Sequence, residues 1–260
     1  MQDKWNDGDA YEFYVGRWSQ KVGASFLDWL NAPAGLRWLD LGCGTGALTN
    51  QILEACQPLS VTGVEPSEGF LSAARKRVGA RADFRQGGGE DIPVEDGSVD
   101  SLVSGLVLNF IPDKGRALAE MARCVAPGGT VAAYVWDYAG HTQFMRYFWD
   151  AAVALDPAAH EQDEGVRFPI CNPEALQDLF ASAGLKDVEV TAIDIVTPFP
   201  DFDDYWAPFL TGIGPAPGYC MSLDEPQRNN LRERLAKAVP TDPAGRILMA
   251  ARCWAVRGTR

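Results

Sequence analysis

The residues best suited to chemistry form one short run, Asp40-Leu-Gly-Cys-Gly-Thr-Gly46, with Glu65 downstream. Gly42, Gly44 and Gly46 let a ligand approach the backbone where a Cβ would collide, and the N–H groups opening the following helix favour an anionic group. Glu65 is expected at the tip of a second strand, where a carboxylate can accept hydrogen bonds from both hydroxyls of a ribose. Glycine spacing alone leaves two ligands open, since Gly42, Gly44 and Ala47 also satisfy the dinucleotide pattern G-x-G-x-x-G/A. Asp40 tilts the choice: it is a carboxylate placed to receive an ammonium, which NAD lacks. No Tyr-x-x-x-Lys pair occurs anywhere, so the usual acid of a short-chain reductase is missing. Cys43 reads as a small residue packed beneath the loop and not as a nucleophile, having no basic partner nearby in sequence.

The elements that must hold these residues alternate. Apolar, β-rich runs predict strands over 37–41, 61–65, 82–86, 99–104 and 130–136. Helices are expected over 47–55, from Pro66-Ser67 to about 78 with Ser67 as N-cap, and over 114–125, stopped by Pro127-Gly128-Gly129. Such alternation requires crossover connections, hence a parallel sheet with helices on both faces. Asn172-Pro173 starts a further helix and Gly184 stops it, and 187–196 and 247–256 read as two more strands. Two long insertions, 138–170 and 201–245, are aromatic-rich and of the length that builds a lid or a binding wall.

Several segments occur in a telling order: D-L-G-C-G-T-G at 40–46, V-E-P-S at 64–67, G-E-D-I-P-V at 89–94, V-D-S-L-V-S at 99–104, Leu-Val-Leu-Asn109, and A-P-G-G-T at 126–130. Together they resemble the class I S-adenosylmethionine-dependent methyltransferases, in the small-molecule group that includes ubiquinone- and menaquinone-biosynthesis-like enzymes. The resemblance implies an α/β, Rossmann-like, doubly wound sheet of seven mostly parallel strands, the last antiparallel, with helical lid insertions. It implies one domain over 1–260: an N-terminal helical cap (1–35), a cofactor core (36–137), the two insertions, and C-terminal helix and strands (171–200 and 246–260). Asp40 and the backbone of Gly42, Cys43, Gly44 and Gly46 would hold the methionine portion of S-adenosylmethionine, and Glu65 with Pro66 the ribose. Gly89, Glu90 and Asp91 would border the adenine; Ser104 and Leu106 would face the methyl group. The family often has Asp where this chain has Gly88, so the adenine contact passes to Glu90 or Asp91. By resemblance to Tyr-x-x-Tyr/Arg-Trp segments, Tyr14 and Arg17 (in the run Tyr11 to Trp18) are expected near the donor carboxylate.

Methyl transfer from a sulfonium mainly needs alignment and exclusion of water, and a base only where the acceptor arrives protonated. No catalytic residue is therefore fixed; the candidates are Asn109, beyond the fourth strand, and Asp137 and His141 as proton acceptors. Asn109-Phe-Ile-Pro112 departs from the Asn-Pro-Pro-Tyr signature of amino methyltransferases, which argues against base methylation. Asn109 and Tyr138 are expected at the acceptor pocket, and Phe144, Phe148 and Trp206, with Trp149, Tyr205 and Phe209, either wall that pocket for a planar or lipophilic metabolite or bury one another.

With 35 acidic against 23 basic side chains among 260 residues, the net charge of −12 argues against a nucleic-acid partner. Hydrophobic residues make up 47% and charged residues 22%, an ordinary globular balance. Six scattered cysteines suggest reduced thiols and no metal site, the first residues do not read as an export signal, and no apolar run is long enough to span a bilayer. A cytoplasmic enzyme with a small-molecule acceptor is the expectation, its oligomeric state open. The competing readings are a nicotinamide-dependent oxidoreductase and a non-catalytic S-adenosylmethionine-binding regulator.

Overall fold

The computed structural model describes residues 12–260. Tyr11, the residues read for an export signal and the beginning of the 1–35 cap lie outside the described residues. Seven strands, β1 (Arg37–Leu41), β2 (Ser60–Glu65), β3 (Asp83–Gln86), β4 (Val99–Gly105), β5 (Val125–Trp136), β6 (Lys186–Phe199) and β7 (Ile247–Thr259), form one sheet in the order β3-β2-β1-β4-β5-β7-β6. β1 pairs in parallel with β2 and β4, as do β2 with β3 and β4 with β5. β7 runs against both its neighbours. The Arg260 N–H donates to Gly129 and the Asp137 N–H to the Arg252 carbonyl, while Arg252–Asp194 and Arg257–Glu189 pair across β7 and β6 in falling register. The expected seven-stranded doubly wound sheet with an antiparallel last strand is present.

The chain steps outward from β1 to β3, then returns to place β4 on the other side of β1. Strand order reverses there, and in such sheets ligands bind beyond the carboxyl ends of the strands at the reversal. The far end of β1 is pinned by Asp100, which accepts from the Arg37 N–H and pairs with its guanidinium at 2.6 Å.

The helices are α1 (Arg17–Leu30), α2 (Ala47–Ala55), α3 (Glu68–Val78), α4 (Lys114–Cys124), α5 (Gln143–Leu155), α6 (Glu164–Arg167), α7 (Pro173–Ser182), α8 (Phe202–Trp206), α9 (Pro215–Ser222) and α10 (Glu225–Ala238). Their starts obey capping chemistry. Ser67, Asp113 and Asn172 each accept from the backbone N–H three residues on, and Asp224 with Gln227 forms a reciprocal capping box. One boundary differs from expectation. Pro127-Gly128-Gly129 does not separate α4 from β5, because the strand begins at Val125 and carries the triplet within it. The register slips between Val99 and Ser101, and a Cβ on Gly129 would stand 2.6 Å from the Asp100 carbonyl. The glycines here make an irregular ladder possible and do not end an element.

The contacts divide the chain into two compact units. The larger holds Ser19–Val135, Ile170–Ile193 and Cys253–Arg260, with a core that includes Trp38, Leu39, Leu102, Val103 and Val131. Within it Arg123 of α4 reaches back to the carbonyls of Ile92 and Val94 and to Asp96, while Glu120 accepts the Ile92 N–H. These bonds fix the loop that follows β3.

The smaller unit holds the described residues up to Trp18, with Trp136–Pro169 and Asp194–Arg252, so the predicted insertions fall in it save for Ile170. Its core is aromatic. Phe148 stacks on Phe209 at 4.4 Å between ring centres, and Tyr205 packs edge-on against Phe199 and Phe209. The most buried carboxyl of this unit is Glu164, 1% exposed, which accepts a hydrogen bond from Trp149 Nε1.

Burial pushes the Glu164 carboxyl up to about 7 from an ordinary 4.5. The folded protein therefore keeps a proton that the unfolded chain releases at lower pH. This contribution to stability is fully present below about pH 4.5 and lost as pH rises through about 7. Glu164→Gln, which retains an acceptor for Trp149, should remove that slope. Denaturation at about pH 5 and about pH 8 should show a wild-type loss exceeding the variant's by roughly 3 kcal/mol.

Candidate cofactor site

The glycine loop leaves β1 in a conformation few residues can follow. Gly42, Gly44 and Gly46 have φ of 73°, 52° and 79°. A Cβ on Gly42 would lie 2.5 Å from the Val107 side chain, so the loop and the segment after β4 touch where a side chain has no room. The Gly42 and Cys43 N–H groups both donate to the Val64 carbonyl, and Gly46 donates to Cys43, tying the turn to β2. α2 then starts at Gly46 without a side-chain bond from that cap, unlike α3 and α4, which suits an anionic ligand group at its opening, while Thr49, the third residue of the helix, is engaged with Asp40.

Two carboxyl groups flank this turn. Asp40, 1% exposed, accepts from Thr49 Oγ1 at 2.7 Å. Burial, with a smaller push from the Glu65 charge, raises Asp40 to about 7 against the hydrogen bonds from Thr49. Glu65, at the end of β2, accepts from the Gly44 N–H through Oε2 and from the Ser67 N–H through Oε1. Burial raises it too, offset by those two backbone bonds. Among the described residues neither carboxyl forms an ion pair with a basic side chain. Cys43 packs with Leu71, Ala74, Val78 and Phe84, and burial drives its thiol far above the ordinary range, which keeps the sulfur uncharged.

Beyond the strand tips lies a cavity of about 390 Å³ lined by Leu41, Gly42, Pro66, Gly87 to Asp91, Val107 and Phe110 to Pro112. Gly88 bridges to Asp91 across the turn. Glu90 is already engaged, its Oε1 accepting the Asp113 N–H at 2.7 Å, whereas Asp91 is exposed. Ser104 donates to the Leu41 carbonyl, joining β4 to β1 beneath the loop. Leu106 adopts φ 62°, a left-handed conformation uncommon outside glycine, with its N–H held by the Tyr134 carbonyl. Asn109 follows in a single 3-10 turn (Leu108–Phe110), 3% exposed, with neither amide atom hydrogen-bonded.

The structure thus gathers Asp40, Gly42, Cys43, Gly44, Gly46, Glu65, Pro66, Gly89, Glu90, Asp91, Ser104, Leu106 and Asn109 within the larger unit. The other predicted residues belong to the smaller one. Tyr14 packs against Phe144 and Phe209, with its hydroxyl buried and unpartnered. Arg17 pairs with Asp204 at 3.1 Å and lies over the rings of Trp18 and Phe199. Both Asp137 oxygens accept backbone N–H groups, from Gly140 and from the half-buried His141. Tyr138 packs on Phe168, and Phe144, Phe148 and Trp206 are buried in the aromatic core. Sequence reasoning passed over Thr49 and Glu164. Thr49 had one available signal, a hydroxyl between Leu48 and Ile52 on the buried face of α2.

Gly42→Ala tests how tightly the turn is closed. It should destabilise the protein by roughly 1–3 kcal/mol through overlap and backbone strain. Adding Val107→Ala should recover only part of that in urea denaturation, since it restores space and not the φ angle.

A family model for a methyltransferase domain matches residues 39–133, the stretch that contains both carboxyls, the glycine loop and Asn109. The demethylmenaquinone methyltransferase of Shouchella clausii is 28% identical over 178 residues, covering 62% of this chain and 75% of that one. The trans-aconitate 2-methyltransferase of Deinococcus radiodurans is 31% identical over 163 residues, covering 62% and 61%. In fold, the chain resembles the crystal structure of a Bacillus halodurans protein assigned as a methyltransferase, with a TM-score of 0.61 at 14% identity over 91% of this chain and 97% of the other. Motif order, sheet topology and these likenesses agree: the chain carries a methyltransferase domain of the S-adenosylmethionine-dependent kind.

Proposed function

We propose that this enzyme transfers the methyl group of S-adenosylmethionine to an O, N or C atom of a small metabolite, in a cytosolic setting. The observation that supports it best is the pair of buried carboxyls, Asp40 and Glu65, flanking an uncapped helix start. A buried carboxylate without a cation is costly, and a ligand that brings positive charge or donor groups relieves that cost. S-adenosylmethionine offers an ammonium for Asp40, ribose hydroxyls for Glu65 and a carboxylate for the N–H groups opening α2. A pyrophosphate would set negative charge against Asp40, which disfavours the nicotinamide alternative. In the cavity beyond the strand tips, Gly88 and Gly89 give a flat base room against the backbone, and Asp91 is the acidic group left to accept from an adenine amino group.

The bound donor supplies an electrophilic methyl on a sulfonium; the chain's own residues bind, orient and exclude water. In this reading the left-handed turn at Leu106 and the bond from Ser104 to Leu41 hold the backbone beside the reacting methyl. Asn109 then aligns the acceptor, because its amide presents a donor and an acceptor with no protein partner for either. Groups with both functions, such as a phenol, an enol or a carboxylic acid, complement it. The two named relatives act, by their names, on a demethylated menaquinone and on trans-aconitate, which supports a small-molecule acceptor without choosing its class. Six cysteines, none of them in a disulfide, support a reducing compartment.

Calorimetric titration should give saturable binding of S-adenosylhomocysteine and no competition by NADH; the reverse pattern would overturn this reading. Asn109→Leu, close in volume, separates function from folding. Removing the unpaired amide should stabilise the protein by about 1–3 kcal/mol, while methyl transfer to an accepted substrate falls with S-adenosylhomocysteine affinity unchanged. Equal turnover in the variant would remove Asn109 from the acceptor site.

A further inference from the structure

We propose that Thr49 is a positioning residue that aims Asp40 at the ammonium group of the donor. The inference rests on the donor site described above and adds a residue to it. Asp40 lies one residue from the end of β1, and Thr49 is the third residue of α2. The five residues of turn between β1 and α2 are therefore closed at their base by the side-chain contact of 2.7 Å from Thr49 Oγ1 to Asp40 Oδ2.

Both partners are buried, Thr49 at 0% exposure and Asp40 at 1%, so water cannot replace the hydroxyl if it is removed. The groups facing Asp40 are few. Glu65, from β2, repels its negative charge, and Cys43, from the loop, stays a neutral thiol. Thr49 is thus the side chain that favours the ionised form of Asp40. The Thr49 backbone N–H supports the same charge, so one residue orients Asp40 from both its side chain and its main chain. A threonine does this better than a basic residue would, because a cation here would neutralise Asp40 and compete with the incoming ammonium.

The hydrogen bond also links donor binding to protons. Asp40 must be charged to receive an ammonium, so affinity should weaken as pH falls through about 7. Without the Thr49 hydroxyl the charged form loses support, and the weakening should begin at a higher pH. Adenosine recognition, by contrast, does not involve Asp40.

The test is calorimetric titration of wild type, Thr49→Val and Thr49→Ser with two probes, from about pH 6 to about pH 8.5. S-adenosylhomocysteine carries the amino-acid tail; 5′-methylthioadenosine has the same thioether and nucleoside without it. At neutral pH, Thr49→Val should weaken S-adenosylhomocysteine by about tenfold to a hundredfold, the range of a lost charge-assisted hydrogen bond, with its pH midpoint moved upward. Thr49→Ser should restore wild-type behaviour, and 5′-methylthioadenosine should bind all three alike. Equal loss of both probes in Thr49→Val would mark Thr49 as merely structural and overturn the proposal, as would an unchanged affinity or midpoint for S-adenosylhomocysteine. Thr49→Ala gives the same decision where the valine variant does not fold. Failure of wild type itself to bind S-adenosylhomocysteine would instead overturn the donor site on which the proposal stands.

Discussion

Asp40 and Glu65 are buried carboxyl groups near the tips of neighbouring parallel strands, and the structure around them is arranged to make that tolerable. Removing a carboxylate from water without a counter-ion costs several kcal/mol, so each remaining lone pair must find a donor. Glu65 finds two in the backbone, at Gly44 and Ser67, and Asp40 finds the Thr49 hydroxyl. The positive φ angles of Gly42, Gly44 and Gly46 follow from this, since the chain must fold back to bring a backbone N–H onto Glu65 while Gly42 passes against Val107. The same closeness keeps Cys43 small and neutral. The strand reversal beside β1 then leaves the arrangement facing a crevice.

Much of this was legible in sequence because it depends on local geometry. Strand, glycine turn and helix follow one another within residues 37–55, and the spacing from Asp40 to Gly46 admits few backbone paths. The strand ends fell within a few residues of expectation for the same reason. Pro127-Gly128-Gly129 was misread because proline and glycine punctuate both helix ends and irregular strands; only the opposing carbonyl of Asp100, distant in sequence, distinguishes the two. Glu90 and Asp91 looked interchangeable until the Asp113 N–H claimed one of them. Asn109 was visible as a polar residue in an apolar run, but its unpaired amide is a property of the packed protein.

Glu164 shows where such reading stops. Like Asp40 it is a buried carboxyl raised to about 7 by desolvation, and like Asp40 it leans on one side-chain donor, here Trp149. Their chemistry is similar, yet only one could be seen in advance. Asp40 is announced by the glycines that must bend around it. Glu164 lies in a one-turn helix among ordinary surface-type residues, and its partner, Trp149, stands fifteen residues away on another helix.

That contrast follows the chemistry each part of the chain performs. Binding a constant donor demands a fixed set of short-range contacts, and the matched stretch 39–133 contains the carboxyls, the turn and the cavity beyond the strand tips. Selecting an acceptor makes no such uniform demand, because a methyl group already activated as a sulfonium needs alignment more than it needs a particular base. Residues outside that stretch are therefore free to satisfy packing first. The smaller unit does so: Phe144, Phe148, Tyr205 and Phe209 fill one another's faces, and Asp137 closes its own turn. Side chains bound by packing carry no spacing rule that a sequence can display, whereas a buried carboxylate that glycines must bend around does.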